Sequence, residues 1–331
     1  MPVAWVTVFS ENSSYMKLKF ALVFPGQGSQ SLGMMAAYGD NAVIRDTFAE
    51  ASTALGRDLW QLAQEGPAEA LNQTVNTQPL MLTAGVAVFR LWQSMGGPMP
   101  AMVAGHSLGE YAALVAANAL PLSDAVPLVE LRAKAMQDAV PQGTGAMAAI
   151  LGLDVPSIET ACREAVQGEN AGQVVQAVNF NSPEQTVIAG HAEAVQRAAD
   201  ACKAKGAKRA MLLPVSAPFH CSLMQPAAEK LKARLATLTF SAPSIPVINN
   251  VDVAIEDRVE QIRDALVRQA ASPVRWVDIM RHMHAAGISH VIECGPGRVL
   301  SGVAKRCVAD LTGVAMSDAA GVDAAIALVK A

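Results

Sequence analysis

Short apolar runs alternate with longer helical segments along this chain, and that alternation constrains its fold more than any other feature of the sequence. Residues 18–24 and 100–104 have the length and composition of buried strands, and helical patterns cover residues 42–55 and 78–94. Strands separated by helices of this length form a parallel sheet that is covered by helices on both faces. The sequence therefore predicts the α/β class, and the length of 331 residues suggests roughly two domains.

The middle of the chain contains a unit with a different order of elements. Its predicted strands and helices follow the order βαββαβ, at residues 146–151, 155–166, 174–179, 185–189, 192–205 and 209–213. That order is typical of the ferredoxin-like arrangement. Because α/β material resumes afterwards, we expect a ferredoxin-like small subdomain at 143–214, inserted into a core of residues 17–142 and 215–331. Residues 1–16, which lack the basic region of a signal peptide, are expected to be an N-terminal extension.

The sequence Gly105-His106-Ser107-Leu108-Gly109 is a G-x-S-x-G motif with a predicted strand before it and a small-residue helix after it. A serine in that context occupies a tight turn, where the flanking glycines permit strained backbone and close approach. Free N–H groups at the start of the following helix can stabilise an oxyanion. The motif therefore predicts a nucleophilic Ser107 in an α/β-hydrolase-like main domain.

A serine nucleophile needs a base, and six histidines are available. His220 ends a loop, residues 214–220, in which two prolines restrict the backbone directly after the inserted unit. Such a loop is suited to aim a base at the main domain, although a structural loop histidine fits the same pattern. No acid that would orient this histidine is evident. Asp154 and Asp200 have the right chain order, but both belong to predicted elements of the inserted unit.

A Gly-rich turn with the sequence FPGQGSQ, residues 24–30, directly follows the first predicted strand. It lacks the third glycine of a dinucleotide-binding turn, and the Gly-Lys-Ser/Thr of a phosphate-binding loop does not follow it. Its backbone N–H groups can instead supply a second oxyanion donor at the carboxyl end of the strand. The turn therefore favours a role beside Ser107 rather than the binding of a nucleotide.

Arg132 lies in a predicted helix, residues 124–138, and two interpretations of it remain open. Most arginines are solvated, which favours a surface charge. A buried guanidinium would instead bind a substrate carboxylate through two parallel hydrogen bonds. The sequence alone does not decide between them.

Composition argues against several classes of function. A net charge of −4 gives no basic field for nucleic acid. Polar residues, glycines and prolines interrupt the weakly charged stretch at 70–109, so no membrane span is expected. Five scattered cysteines without a CxxC pair argue against a disulfide framework or a cysteine-rich zinc site, and indicate a cytoplasmic protein. No long exposed apolar stripe demands an oligomer, so we expect a monomer.

Several runs of sequence occur together in one order, and the combination is far more specific than any one of them. They are FPGQGSQ at 24–30, TQP at 77–79, GHSLGE at 105–110, Arg132, NFNSP at 179–183, PVSAPFH at 214–220, NNVDV at 249–253 and GPG at 295–297. In this combination the chain closely resembles the malonyl-CoA:acyl-carrier-protein transacylases of bacterial fatty acid synthesis. The resemblance covers about residues 17–330.

The resemblance implies a ping-pong transfer by a Ser–His dyad. Ser107 would attack the malonyl thioester while His220 takes its proton. The backbone carbonyl of Gln269 would orient His220, which would explain why no orienting acid is found. The backbone N–H groups of Gln27 and Leu108 would form the oxyanion hole.

The resemblance also implies the substrates and the partner. Malonyl-CoA would donate the malonyl group, its carboxylate would pair with Arg132, and acyl carrier protein would accept the group on its phosphopantetheine thiol. No metal and no cofactor would be needed. Because acyl carrier proteins are strongly acidic, the basic runs at 203–209 and 298–306 are candidate docking sites, although ordinary solvated charges fit them equally.

Two alternatives remain open at this point. A discrete, trans-acting acyltransferase of a polyketide synthase would use the same motifs on a different carrier. A serine esterase or thioesterase would share the G-x-S-x-G motif, but it would normally supply an acid between the serine and the histidine.

Overall fold

The computed structural model describes residues 18–215 and 217–331, so the expected extension at residues 1–16 lies outside the described residues. The strands are β1 (Phe20–Phe24), β2 (Met102–Gly105), β3 (Gly145–Leu151), β4 (Val175–Ser182), β5 (Gln185–His191), β6 (Arg209–Leu212), β7 (Val247–Ile248), β8 (His290–Glu293) and β9 (Thr312–Ala315). The α-helices are α1 (Ala42–Leu55), α2 (Leu59–Glu65), α3 (Ala68–Leu71), α4 (Thr74–Ser94), α5 (Gly109–Ala116), α6 (Leu122–Gln137), α7 (Val155–Ala165), α8 (Ala192–Ala204), α9 (Gln225–Leu235), α10 (Val259–Gln269), α11 (Trp276–Ala285), α12 (Val299–Cys307) and α13 (Ala319–Lys330). The predicted α/β class is confirmed.

Five strands form a parallel sheet in the order β7-β2-β1-β8-β9. In its register Phe24 of β1 pairs with Gly105 of β2, and Val23 pairs with Glu293 of β8. The carboxyl ends of these three strands therefore meet at one edge of the sheet. Ligand sites in open α/β sheets form at this edge, outside the ends of the strands.

The central strand β1 is buried along its whole length, which explains its nearly unbroken apolar sequence. Leu22 and Phe24 belong to the core on one face, with residues of α4 and α5. Ala21 and Val23 face the other side, where they pack with residues of α11 and α12. Helices on both faces leave the strand ends as the accessible part of the sheet.

Four strands form a separate antiparallel sheet in the order β4-β5-β3-β6. Helices α7 and α8 pack together against it and share a small core of their own. Strand β4 also binds the chain beside α11, because Phe180 N donates to Val274 O (3.0 Å) and Val274 N donates to Val178 O (2.8 Å). These bonds fix the antiparallel sheet against the main sheet next to Asn179.

Several elements differ from the sequence prediction. Helix α4 begins at Thr74, earlier than the predicted residue 78, and contains Pro79. Proline leaves the carbonyl four residues before it without its helical donor; here the guanidinium of Arg57 donates to that oxygen, on Val75, at 3.4 Å. Helices α9 and α13 and strand β9 lie where no element is predicted from the sequence.

Two glycines of the G-x-S-x-G motif allow the strand–turn–helix to pack directly on β1. A Cβ atom on Gly109 would lie 2.1 Å from the carbonyl oxygen of Phe24. A Cβ atom on Gly105 would lie 1.8 Å from the carbonyl carbon of Gly109. Both neighbours are backbone atoms, which cannot move aside without shifting a strand or a helix.

We therefore expect Gly109→Ala to lower the free energy of unfolding by about 1–3 kcal/mol or more through overpacking. The control is Gly302→Ala in α12, where a Cβ would meet nothing within 4 Å. That change is expected to be neutral or to stabilise the helix by up to about 1 kcal/mol. Urea unfolding of both variants measures the difference, and equal midpoints would contradict the packing argument.

Candidate active site

Ser107 lies in the turn between β2 and α5, and its backbone is held in a strained conformation. Its φ is 52°, in the left-handed region that non-glycine residues rarely adopt. The side chain of Asn250 holds both sides of this turn: Oδ1 accepts from Ser107 N at 2.7 Å, and Nδ2 donates to Gly105 O at 2.7 Å. The strained turn is thus supported by a residue from a distant loop.

His220 is buried and directly contacts the serine. Its Nε2 lies 2.6 Å from Ser107 Oγ, and its Nδ1 lies 3.0 Å from the backbone oxygen of Gln269. A neutral imidazole that donates from Nδ1 to this carbonyl has its Nε2 lone pair free to accept the serine proton. The two side chains have the geometry of a nucleophile and its base.

Neither aspartate considered from the sequence orients this imidazole. Asp154 caps the first turn of α7 and accepts from Ser157 N at 2.9 Å. Asp200 lies on α8 and pairs with Lys203 at 3.4 Å. Both carboxyls are exposed on the antiparallel unit, so a backbone carbonyl contacts His220 Nδ1 where a triad would use an acid.

Arg132 is only 2% exposed, so the structure favours the buried interpretation over the solvated one. Its Nη1 donates to Gln78 Oε1 at 2.8 Å, and its Nη2 donates to Gln269 Oε1 at 2.9 Å and to Ser107 Oγ at 3.1 Å. The guanidinium carbon also lies 5.5 Å from the centre of the Tyr111 ring. No carboxylate of the described residues forms an ion pair with Arg132. The groups in contact with its guanidinium are neutral, and the buried carboxyl of Glu110 acts on its charge only from beyond ion-pair distance.

Burial and the nearby charge of Arg132 lower the pKa of His220 to about 3. Burial acts because a desolvated imidazole resists protonation, and the guanidinium acts by repulsion of a second cation. The histidine is therefore neutral at pH 7, which is the protonation state that a base requires.

A cavity of about 390 Å³ opens above the serine, between the two sheets. Its lining includes Ser107, Gln27 and Leu108 from the parallel-sheet part, and Met147 and Asn179 from the antiparallel part. The backbone N–H groups of Gln27 and Leu108 have no acceptor among the described residues. Both groups therefore remain available to a ligand oxygen.

His106, the neighbour of the serine, points away from it. Its Nε2 lies 2.8 Å from Asn181 Oδ1, and its ring lies 5.4 Å from that of Trp276. Burial lowers the pKa of its imidazole, so His106 is a neutral group that contributes to the attachment of the two sheets.

Sequence reasoning assigned no role to three buried polar residues that contact the site, namely Gln78, Glu110 and Asn250. Each lies in one of the runs noted above, TQP, GHSLGE and NNVDV. Their partners lie between 54 and 159 residues away along the chain. The runs marked the positions, but only the fold shows what these side chains bind.

The described residues contain no group of three or more histidine, cysteine, aspartate or glutamate residues placed to hold a metal ion. None of their helices combines the length and the apolar character needed to cross a membrane.

The sequence is similar to known acyltransferases along most of its length. Residues 21–323 match the family described as acyl transferase domain. The malonyl CoA-acyl carrier protein transacylase of Escherichia coli is 58% identical, over 94% of this chain and 99% of that protein. The protein of the same description from Bacillus subtilis is 42% identical, over 94% of this chain and 98% of that protein.

Solved structures of similar proteins cover this chain to the same extent as the sequence relatives do. The acyl-carrier-protein S-malonyltransferase of Burkholderia pseudomallei superposes with a TM-score of 0.91 at 55% identity, covering 94% of this chain and 100% of that one. A malonyl-transacylase in complex with a type II polyketide synthase acyl-carrier protein also has a TM-score of 0.91, at 54% identity, covering 94% of this chain and 99% of that one.

The lowered pKa of His220 predicts how the reactivity of Ser107 depends on pH. Between pH 8 and pH 5, the rate at which a fluorophosphonate labels Ser107 is expected to change by less than about threefold, because the imidazole stays neutral. Ser107→Ala, which removes the nucleophile, is the control. Loss of labelling about tenfold per pH unit below the ordinary histidine value of 6.5 would show that His220 is not held neutral.

Proposed function

Because the chain belongs to the acyl transferase domain family, and within it to the malonyl-CoA:acyl carrier protein transacylases, we propose that it transfers the malonyl group of malonyl-CoA to the phosphopantetheine thiol of an acyl carrier protein. The observation that carries the proposal is the 2.6 Å contact between Ser107 Oγ and His220 Nε2, beside the buried guanidinium of Arg132. A nucleophile, a base and a carboxylate receptor lie within one cavity.

In the first half-reaction Ser107 Oγ attacks the thioester carbonyl and its proton passes to His220 Nε2. The carbonyl of Gln269 accepts the Nδ1–H and stabilises the imidazolium that forms. The negative charge on the substrate oxygen is bound by the N–H groups of Gln27 and Leu108. Collapse expels the thiolate of coenzyme A, which takes the proton from His220 and leaves a malonyl ester on the serine.

In the second half-reaction the thiol of the carrier protein attacks this ester, and the same groups act in reverse. His220 takes the thiol proton and returns it to Ser107. One thioester is exchanged for another, so the reaction is close to thermoneutral and needs no metal or cofactor. Water is the competing nucleophile, and the narrow cleft between the two sheets limits its access.

Arg132 gives the proposed site its preference for a dicarboxylic acyl group. A malonyl carboxylate can accept two parallel hydrogen bonds from the guanidinium. The new anion also offsets the charge that lowers the pKa of His220, so the base becomes stronger when the right substrate is bound. An acetyl group would leave the buried cation without a counter-ion, which costs on the order of a few kcal/mol.

The architecture supports the same proposal. We assign residues 17–142 and 215–331 to an α/β-hydrolase-like core and residues 143–214 to a ferredoxin-like subdomain. The antiparallel order β4-β5-β3-β6 supports this assignment. When β3 to β6 are numbered 1 to 4 within the unit, the order is 2-3-1-4, which is the strand order of a ferredoxin-like sheet. The subdomain forms the second wall of the cleft.

The five cysteines are free thiols, as expected if the reaction takes place in the cytoplasm. We propose that the protein acts there as a monomer.

One observation favours a second candidate function, in which the carrier belongs to a polyketide synthase. A similar malonyl-transacylase was solved in complex with a type II polyketide synthase carrier. The chemistry at Ser107 would be the same, and transfer rates to fatty acid and polyketide carriers distinguish the two candidates.

The proposed function predicts that Arg132→Ala separates the two acyl substrates. The kcat/KM for malonyl-CoA should fall about 10²-fold or more, because the buried contact to the carboxylate is lost. The kcat/KM for acetyl-CoA should fall by less than about tenfold. Steady-state transfer to holo acyl carrier protein measures both substrates. Equal losses on the two would contradict the assignment. Arg90→Ala, which removes a half-exposed arginine paired with Glu50, should change neither.

The two candidate docking runs differ in how many of their basic side chains are paired with carboxylates of this chain. Three of the four basic side chains of the first run, Lys203, Lys205 and Lys208, lie within 4 Å of a carboxylate of the same unit, on Asp200, Glu164 and Glu184 respectively. The fourth, Arg209, is exposed and forms no ion pair with another described residue. In the second run, by contrast, Lys305 and Arg306 are exposed on α12 and form no ion pair with another described residue. Helix α12 also begins beside the Gly-rich turn, since a Cβ on Gly297 would lie 3.3 Å from Ser29. An acidic carrier is therefore expected to use α12.

Reversal of both charges on α12, as Lys305→Glu with Arg306→Glu, should raise the KM for carrier protein about tenfold or more. The KM for malonyl-CoA in the acylation half-reaction is expected to change little. Lys203→Glu with Lys205→Glu is the matched control, because it changes the net charge by the same amount. A larger effect of the control pair on the KM for carrier protein would assign docking to the first run instead.

A further inference from the structure

Glu110 is a buried carboxyl directly beneath the serine turn, and the proposed mechanism gives it no task. It lies in the first turn of α5 and is 2% exposed. Its backbone N donates to Ser107 O at 3.1 Å, so its position is tied to the turn. Its side chain forms no ion pair with any described residue. Burial of a carboxyl away from water costs free energy unless hydrogen bonds from the protein replace those to water.

One oxygen of this carboxyl accepts two hydrogen bonds from groups that support the site. Oε2 accepts from the backbone N of Asn250 at 2.9 Å and from Nε2 of Gln269 at 2.9 Å. Asn250 in turn binds both sides of the serine turn through its side chain. Gln269 also donates from Nε2 to Ser107 O at 2.9 Å.

The hydrogen bond from Gln269 Nε2 to Glu110 Oε2 determines the orientation of the Gln269 side-chain amide. Nε2 faces two acceptors, Glu110 Oε2 and Ser107 O, so Oε1 is left on the opposite side. That oxygen accepts from Arg132 Nη2 at 2.9 Å. If the amide were reversed, its NH₂ group would face the guanidinium, and two donors would meet where one hydrogen bond now forms. The backbone oxygen of the same residue binds His220.

From these contacts we infer that Glu110 is the positioning residue of the active site: its Oε2 fixes the amide of Gln269 and the backbone of Asn250, and thereby holds Arg132 and the Ser107 turn in one arrangement. The inference rests on the proposed function for what Arg132 binds. What the site requires of Glu110 is a hydrogen-bond acceptor at the position of Oε2. The negative charge of the carboxylate is not required.

This role predicts an unusual ranking of substitutions at the position. Glu110→Gln keeps an acceptor at the same reach and loses the charge. Glu110→Asp keeps the charge and withdraws the acceptor by one methylene. Glu110→Met removes the acceptor altogether. A small cavity of about 10 Å³ borders Glu110, and Asn249 and Glu256 are the other polar residues of its largely apolar lining.

Glu293 provides a matched control elsewhere in the fold. It is fully buried at the end of β8, and its carboxyl accepts from Leu300 N, Ser301 N and Ser301 Oγ, at 2.8–3.0 Å. Glu293 thus resembles Glu110 in burial and in its hydrogen bonds to backbone and side chain, but it caps α12. Glu293→Met should lower the melting temperature without a change in substrate preference.

The experiment compares acylation by malonyl-CoA and acetyl-CoA in the full-length wild type and all four variants, with melting temperatures. Labelling of Ser107 by a fluorophosphonate is measured in parallel, because it needs only the serine and histidine. Glu110→Gln should stay within about threefold of wild type in all three rates. Glu110→Asp and Glu110→Met should lower malonyl acylation about 10²-fold, with a loss of at least about tenfold in malonyl-over-acetyl preference and slower labelling.

Two results would overturn the inference. If Glu110→Asp behaves like the Glu293→Met control, with unchanged preference and labelling, Glu110 is a structural residue only. If Glu110→Gln falls as far as Glu110→Asp, an acceptor at the right distance is not sufficient and the negative charge is required as well. Should Glu110→Met fail to fold, the glutamine and aspartate variants still decide the ranking. A wild type that reacts with fluorophosphonate but not with malonyl-CoA would contradict the proposed function, while the labelling rates would still test Glu110.

Discussion

A buried guanidinium that is held by neutral groups is the constraint on which the site depends. Removing the charge of Arg132 from water is unfavourable, and two glutamine oxygens, the serine oxygen and an aromatic ring compensate only in part. The charge helps keep His220 neutral. The uncompensated charge also favours the binding of a carboxylate, whose two planar oxygens can accept hydrogen bonds from the guanidinium. The same interaction therefore controls both the base and the choice of substrate in the mechanism we propose.

Backbone geometry brings these groups together. The carboxyl ends of β1, β2 and β8 meet at one edge, and β2 continues into the turn that holds Ser107. Glycines at 105 and 109 let that turn pack against β1 at distances that no side chain would allow. The loop that carries His220 returns from the antiparallel unit, and its histidine also adopts a left-handed φ of 67°. Both reactive residues thus occupy strained backbone at the junction of the two sheets.

The sequence predicted the parts of this arrangement that are local in the chain. A strand, a tight turn and a helix around Ser107 follow from neighbouring residues, and so does the βαββαβ order of the middle unit. The burial of Arg132 could not be predicted, because the pattern of α6 does not reveal what covers it. The orientation of His220 depends on a backbone carbonyl, which every residue has. The roles of Glu110 and Gln269 depend on a hydrogen bond across 159 residues, for which a single sequence contains no signal.

The central claim is that Ser107 carries the acyl group between two thiols. The most direct test is the intact mass of the purified protein after mixing with malonyl-CoA alone. We expect a stable adduct of one malonyl group that is absent in Ser107→Ala and is discharged by holo acyl carrier protein. Steady release of coenzyme A with no adduct would mean that water hydrolyses the ester, and it would contradict the proposed transfer.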